Sequence, residues 1–336
     1  MKKNLTALVA SLLLLASCSD EAPVNPVSED AIAFGTVSAT RGAVTSADQI
    51  QDFKVYAKKF TVTPFKVSEG FWPEPQTVSK IGNQWTYPIK AYWQSGYTYS
   101  FLSLYPSTIK AVESISNSEE NGNVKHYLTI DNYSIKYDAD ADDEDLMMGI
   151  NPNIEVTKET TPGTVNVKFQ HLLSQVDFVV KADPETVALV GDVKVTDAKF
   201  YGTHTTGSYS GETFTADGTN KGTWTLTGDV TTVENPTAVA SEKNVDDIHK
   251  GVQLFGKSFI LFPGKEPAKV VVNYTIGTDP TVLTYEQDLS LVTPLGWEAG
   301  KSYCYTITIV DKDHILFSVP TVQPWSKGTG GIIIVE

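Results

Sequence analysis

Beyond residue 30 the dominant hydrophobic period along the chain is two. Thr164–His171 puts Val165, Val167, Phe169 and His171 on one face and Asn166, Lys168 and Gln170 on the other. Val176, Phe178 and Val180 alternate in the same way, as do Val270, Val272, Tyr274 and Ile276, and then Tyr303, Tyr305, Ile307 and Ile309. An extended chain sends successive side chains to opposite faces, so these runs predict half-buried strands. Turn-forming residues separate them, as at Asn121-Gly122-Asn123 and Thr161-Pro162-Gly163. No window of eleven or more residues keeps a helical period outside the N-terminal apolar run. The pattern therefore predicts an all-β chain built as two antiparallel β-sandwiches with Greek-key-like connections. The polar stretch Asn151–Gly163 predicts the boundary: an N-terminal sandwich over 42–161, joined by a first strand at 31–41, and a C-terminal one over 162–336.

The first residues follow a different rule. Met1-Lys2-Lys3-Asn4 precedes a mostly apolar run from Leu5 to Ala16. That run is too short to cross a hydrocarbon core of ~30 Å, so residues 1–17 read as a signal peptide. Leu15-Ala16-Ser17-Cys18 resembles a bacterial lipobox, in which the small residues admit the lipoprotein peptidase and the thiol carries the diacylglyceryl group. Cys18 is thus expected to become an acylated N-terminus that tethers the chain to outer-membrane lipid. Each buried CH₂ of the acyl chains is worth ~0.8 kcal/mol, and two or more chains anchor stably. Ser19, Asp20 and Glu21 fit either a surface-export signal of Gram-negative lipoproteins or a solvated acidic linker, and residues 19–30 read as an extended tether.

Charge and composition then remove several function classes. Forty acidic residues against 26 basic ones give a net charge of −14, which opposes binding to nucleic acid. With Cys18 acylated, Cys304 has no disulfide partner, and its position opposite Tyr303 and Tyr305 predicts a small residue packed beneath the sheet or a loop, with no assigned role. His126, His171, His204, His249 and His314 are scattered, without metal-ligand spacing. His171, on an apolar strand face, is expected to be a hydrogen-bonded core or rim histidine. No G-x-S-x-G elbow, P-loop or dinucleotide fingerprint occurs, so neither a catalytic residue nor a cofactor is expected. Asp138, Asp140 and Asp142 have the D-x-D-x-D spacing of a calcium loop, but Asp143 stands where glycine makes the turn and Gly149 where a bidentate glutamate belongs. A solvated acidic loop is the expected reading. The aromatics from Trp85 to Tyr105 fit either a sugar-stacking platform or a core; Tyr97, Tyr99, Phe101 and Tyr105 share a strand parity, which predicts the core.

One residue stands out by its isolation. Of the 26 basic residues only Arg41 is an arginine, and it closes the strand-like run that begins with Ile32 and Phe34. Gly42 and Ala43 after it leave the bond open to a protease with a deep acidic pocket for arginine. Such an enzyme would find a single site in the whole chain.

Taken in order, several short motifs resemble the fimbrillins, the type V pilus subunits of anaerobic Gram-negative bacteria. They are the lipobox Cys18, the early strand Ala31–Ala39 ending in Thr40-Arg41, and Trp85-Thr86-Tyr87-Pro88. Tyr92-Trp93, Tyr97 to Phe101, Tyr105-Pro106 and Asp145-Leu146-Met147 follow, then Phe169 to Val176, and Trp325 with Gly330-Gly331-Ile332. The resemblance implies two tandem transthyretin-like sandwiches, maturation by an arginine-specific cysteine protease between Arg41 and Gly42, and assembly with other fimbrillin subunits by strand exchange. The product would be a cell-surface pilus, with this chain as stalk, tip or accessory adhesin. Loss of the first strand would open an apolar groove, a template for a strand from another chain. The expected donor is Ile332-Ile333-Ile334-Val335; the same run also fits the last strand of its own sandwich. The competing reading is a permanently lipid-anchored, glycan-binding surface lipoprotein.

Overall fold

A computed structural model describes residues 27–36, 50–68, 71–117, 124–135, 145–160, 162–191, 193–213, 221–234, 251–256, 258–265 and 268–325. Cys18, Arg41, Gly42, Asp138, Asp140, Asp142 and Ile332–Val335 lie outside these residues. Among the described residues the regular structure is nearly all strand, with one α-helix, Pro184–Val190, and one 3-10 turn, Leu289–Leu291. Asp183 caps the helix by accepting from the Thr186 N–H, and Pro184 opens it where a missing N–H costs nothing.

The first large sheet has Tyr97–Tyr105 near its middle, between Met147–Val156 and Asp52–Thr61, with Gln76–Ile81 beyond. Tyr99 and Phe101 point to one face and Leu102 and Leu104 to the other, and all four are fully buried. A strand apolar on both faces belongs in the middle layer of a stack, and that is where this one sits. On its first face Phe53, Val55, Tyr99, Phe101 and Met147 meet Ile32, Phe34, Trp93, Val165, Val167 and Phe169. On the opposite face Tyr56, Leu102, Leu104 and Met148 meet Leu128, Ile130, Tyr209, Phe262 and Trp325.

The second sheet is organised by one 20-residue strand, Val193–Glu212. Its first half pairs with Lys269–Ile276, from Val193↔Ile276 to Tyr201↔Lys269. Its second half pairs with Val124–Ser134, from Tyr127↔Glu212 to Ser134↔Thr206. Val193, Val195 and Phe200 pack in a third core with Val176, Phe178, Tyr305 and Ile307 of a further sheet built on Ser174–Ala182 and Lys301–Ile309, while Tyr209 packs over Leu102 and Leu104. One continuous strand thus links two cores.

Three expectations change. The sheets are not purely antiparallel: Ser174–Ala182 runs parallel to Lys301–Ile309, and Phe34–Thr36 parallel to Val165–Val167. Both pairs join segments more than a hundred residues apart, where no hairpin dictates direction. Thr164–His171 does not open the C-terminal half as one strand. It breaks after Val167, and Val165, Val167 and Phe169 complete the first core. Alternation fixes which face is apolar and leaves the covering partner unspecified. Finally, strand structure in the N-terminal segment begins at Val27, within the expected tether, and forms two short pieces, Val27–Ala31 and Phe34–Thr36.

Candidate functional site

The N-terminal segment lies in a slot between two neighbours. Val27–Ala31 pairs antiparallel with Tyr92–Gln94, and Phe34–Thr36 pairs parallel with Val165–Val167. At the crossover the Ile32 N–H donates to the Ala91 carbonyl at 2.8 Å, the Tyr87 hydroxyl donates to the Ile32 carbonyl at 2.7 Å, and the Val165 N–H donates to the Ala33 carbonyl at 2.7 Å. Ala31 and Ala33 face out, while Ile32 and Phe34 are 1% and 4% exposed. The Phe34 ring is held edge-on by Tyr87 and Phe101, each at 5.5 Å, and by Phe53 at 6.4 Å, with Trp72 at 6.3 Å. Two side chains therefore fasten the segment, worth roughly 3–6 kcal/mol at ~1.5–3 kcal/mol each.

The slot floor is made of aromatic groups with satisfied polar ends. Tyr99 is pushed up to about 12 by burial, against the opposing effect of the Gln94 N–H that donates to its oxygen at 2.9 Å. Burial likewise raises Tyr87. Trp93, Tyr87, Tyr99 and Phe101 are all buried, so these faces are closed to a stacking sugar. Tyr92 alone of the Tyr92–Phe101 aromatics is substantially exposed.

A second arrangement has the connectivity of a hydrolytic triad. Ser100 Oγ lies 2.5 Å from His126 Nε2, and His126 Nδ1 lies 2.7 Å from Glu113 Oε1. A carboxylate can only accept, so Nδ1 donates. Lys58 Nζ stands 3.5 Å from the other Glu113 oxygen. Three strands contribute, and no sequence spacing could have signalled it. Ser100 is fully buried and His126 is 1% exposed, so no substrate carbonyl reaches the hydroxyl. The group instead ties Tyr97–Tyr105 of the first sheet to Val112–Asn117 and Val124–Ser134 of the second. Here Oγ, imidazole and carboxylate are structural.

His171 is buried, as expected. Its Nδ1 lies 2.5 Å from Asp145 Oδ2, and its ring stacks on Trp325 at 4.0 Å and 17°. Trp325 is itself fully buried and donates its backbone N–H to the Gly300 carbonyl at 2.8 Å. Cys304 sits half-buried beside Asp177 in the parallel ladder. Burial, and secondarily the Asp177 charge, push its thiol up to about 11. The thiolate is the nucleophile, so at pH 8 Cys304 should react with a disulfide reagent far more slowly in the folded chain than after denaturation. Equal rates would contradict this placement. Among the described residues no group of three His, Cys, Asp or Glu is placed to hold a metal ion.

The segment, its slot and the layered sheets can be set against known proteins. Residues 38–325 match the family model described as fimbrillin-like. A fimbrial protein from Bacteroides vulgatus is similar in structure with a TM-score of 0.58 at 16% identity, over 88% of this chain and 99% of that one. A provisionally named cell adhesion protein from Bacteroides uniformis follows, with a TM-score of 0.50 at 18% identity over 88% and 99% of the two chains. At such identities the likeness is one of fold. No curated protein matches the chain.

Proposed function

We propose, from the premise that this chain belongs to the fimbrillin-like family, that it is a type V pilus subunit, stalk or tip, exported as a lipoprotein through Cys18 and matured by cleavage after Arg41. The observation that carries this reading is the buried pair Ile32 and Phe34. The segment Val27–Thr36, which precedes the only arginine in the sequence, fills an apolar slot between two strands. Cutting at Arg41 turns that segment into a separate peptide. Its hold is then roughly 3–6 kcal/mol of apolar burial, opposed by lost translational and chain freedom of similar or larger size. Once it leaves, Tyr92–Gln94 and Val165–Val167 present unpaired backbone groups beside an aromatic floor, which a strand from a second subunit can pair. Head-to-tail insertion does not close on itself, so it extends a filament.

The chain is expected at the cell surface, first held to outer-membrane lipid and then within a pilus. The glycan-binding alternative loses much of its support, because all the aromatics it relied on except the exposed Tyr92 are in the core or packed against it. Arg41→Ala tests the proposal: the variant should accumulate as an acylated monomer, and its surface form should keep Cys18 at its N-terminus. High-molecular-mass ladders persisting in that variant would sink it.

A further inference from the structure

The outer face of the second sheet carries a grid of hydroxyl groups. Here Val193–Glu212 is flanked by Val124–Ser134 on one side and by Thr223–Glu234 on the other. Leu128, Ile130, Tyr209, Trp224 and Leu226 turn inward to the core, so the residues alternating with them turn out. The register sets Thr129, Ser210 and Thr223 in one row, Ser134, Thr206 and Thr227 in another, and Ser208 with Thr225 between. Rows of this kind repeat about 4.8 Å across strands and about 7 Å along them. All eight residues bear a hydroxyl, and all are exposed or half-exposed. Charged residues make up 20% of the chain, yet none takes these outward positions. The ladder bulges between Ile130 and Tyr133, where Asn132 adopts a φ of 52° and Asp131 and Asn132 are both exposed. The Asn132 N–H donates to Ser208 Oγ at 3.2 Å, which holds the bulge against the middle row. At one end Tyr127 is 39% exposed, paired with Glu212, whose charge is matched by Lys125 at 3.4 Å.

We propose that this face binds an uncharged polysaccharide. Each hydroxyl both donates and accepts, which suits a ligand that is itself covered in hydroxyls, directly or through bridging water. The threonine methyls and the exposed Tyr127 ring supply apolar contact for sugar C–H groups beside a polar edge. An anionic polymer would meet Asp131, a net charge of −14, and at this end a lysine already matched by Glu212. A protein partner would find little apolar surface to bury, since the exposed apolar groups beside the grid are Tyr127 and Val112. Charge and composition therefore select a neutral sugar chain. The face is also independent of the slot. The slot lies on the first sheet's opposite side, with the core between the two sheets separating it from the grid. The grid therefore stays open whichever strand the slot holds, and the inference does not depend on cleavage at Arg41.

Affinity electrophoresis of the uncut full chain tests this, with amylopectin, galactomannan or mixed-linkage β-glucan in the gel and polygalacturonate as the anionic comparison. The net charge of −14 drives migration, and alanine at a hydroxyl position leaves that charge unchanged. At least one of the three neutral polymers should retard the chain, and polygalacturonate should not. The double variant Ser210→Ala with Thr225→Ala should bind the retarding polymer about tenfold more weakly, through the loss of two hydrogen bonds. Tyr127→Ala should weaken it as well, whereas Thr308→Ala, which removes a half-exposed hydroxyl of the other sheet, should not. Matching unfolding midpoints show that each variant is folded. Retardation by none of the neutral polymers, or by polygalacturonate alone, would overturn the proposal, as would retardation that the double variant and Tyr127→Ala leave intact. Dimers of the uncut chain that the double variant dissolves would assign the face to a second copy and overturn it too. All of these outcomes leave cleavage at Arg41 and strand exchange untouched.

Discussion

Phe34→Ala is expected to lower the stability of the uncleaved chain by about 3–5 kcal/mol, the range for removing a buried phenyl ring. The ring contributes contact with Tyr87, Phe101, Phe53 and Trp72 at once, and three of those neighbours are themselves buried in the first core. Collapse around the void is limited, because Tyr87 is tied to the Ile32 carbonyl and Phe101 stands in a strand packed on both faces. Ala33→Ser, one residue away but facing out, is the matched control and should stay within about 0.5 kcal/mol. Chemical denaturation of both variants measures the difference. Equal midpoints would mean that the segment rests on the slot without filling it.

The second large effect is expected at Glu113. Glu113→Ala should cost about 3–5 kcal/mol, since it leaves the buried His126 N–H without its acceptor inside the stack and takes away the partner of the part-exposed Lys58 ammonium. Glu113→Gln keeps an oxygen that can accept from Nδ1 and should recover part of the loss. Ser100→Ala should cost less, about 1–3 kcal/mol, as one hydroxyl is removed and one ring nitrogen stranded. A hydrolytic role makes the opposite forecast: activated-ester hydrolysis would fall in Ser100→Ala while stability held. The buried geometry predicts the same background hydrolysis in the parent and the variant.

These two sites differ in how far the sequence reveals them. Ile32 and Phe34 alternate with outward alanines, so their burial is legible from period alone. Tyr303, Tyr305 and Ile307 are legible in the same way and share their core with Val176, Phe178 and Val180. Val165, Val167 and Phe169 show the limit of that reasoning. Their common face is correct, but periodicity does not say whose core they enter, and they enter that of Phe34. Val27–Ala31 is invisible because its role is carried by backbone pairing with Tyr92–Gln94, which leaves no apolar pattern in Val-Ser-Glu-Asp-Ala. The helix Pro184–Val190 is too short for a period, although Asp183-Pro184-Glu185 carries the signature of a helix start. Ser100, Glu113 and His126 meet only because two sheets stack, and nothing local in the chain encodes that meeting.

On the reading proposed above, the segment Val27–Thr36 is a removable filling of the slot. Native mass spectrometry of the full chain, cut after its single arginine and held at high concentration, tests this most directly. The N-terminal peptide is expected to dissociate, and a ladder of oligomers lacking it to grow in. Oligomers in which every subunit still carries its peptide, or a cut chain that stays a one-to-one complex with it, would contradict the account.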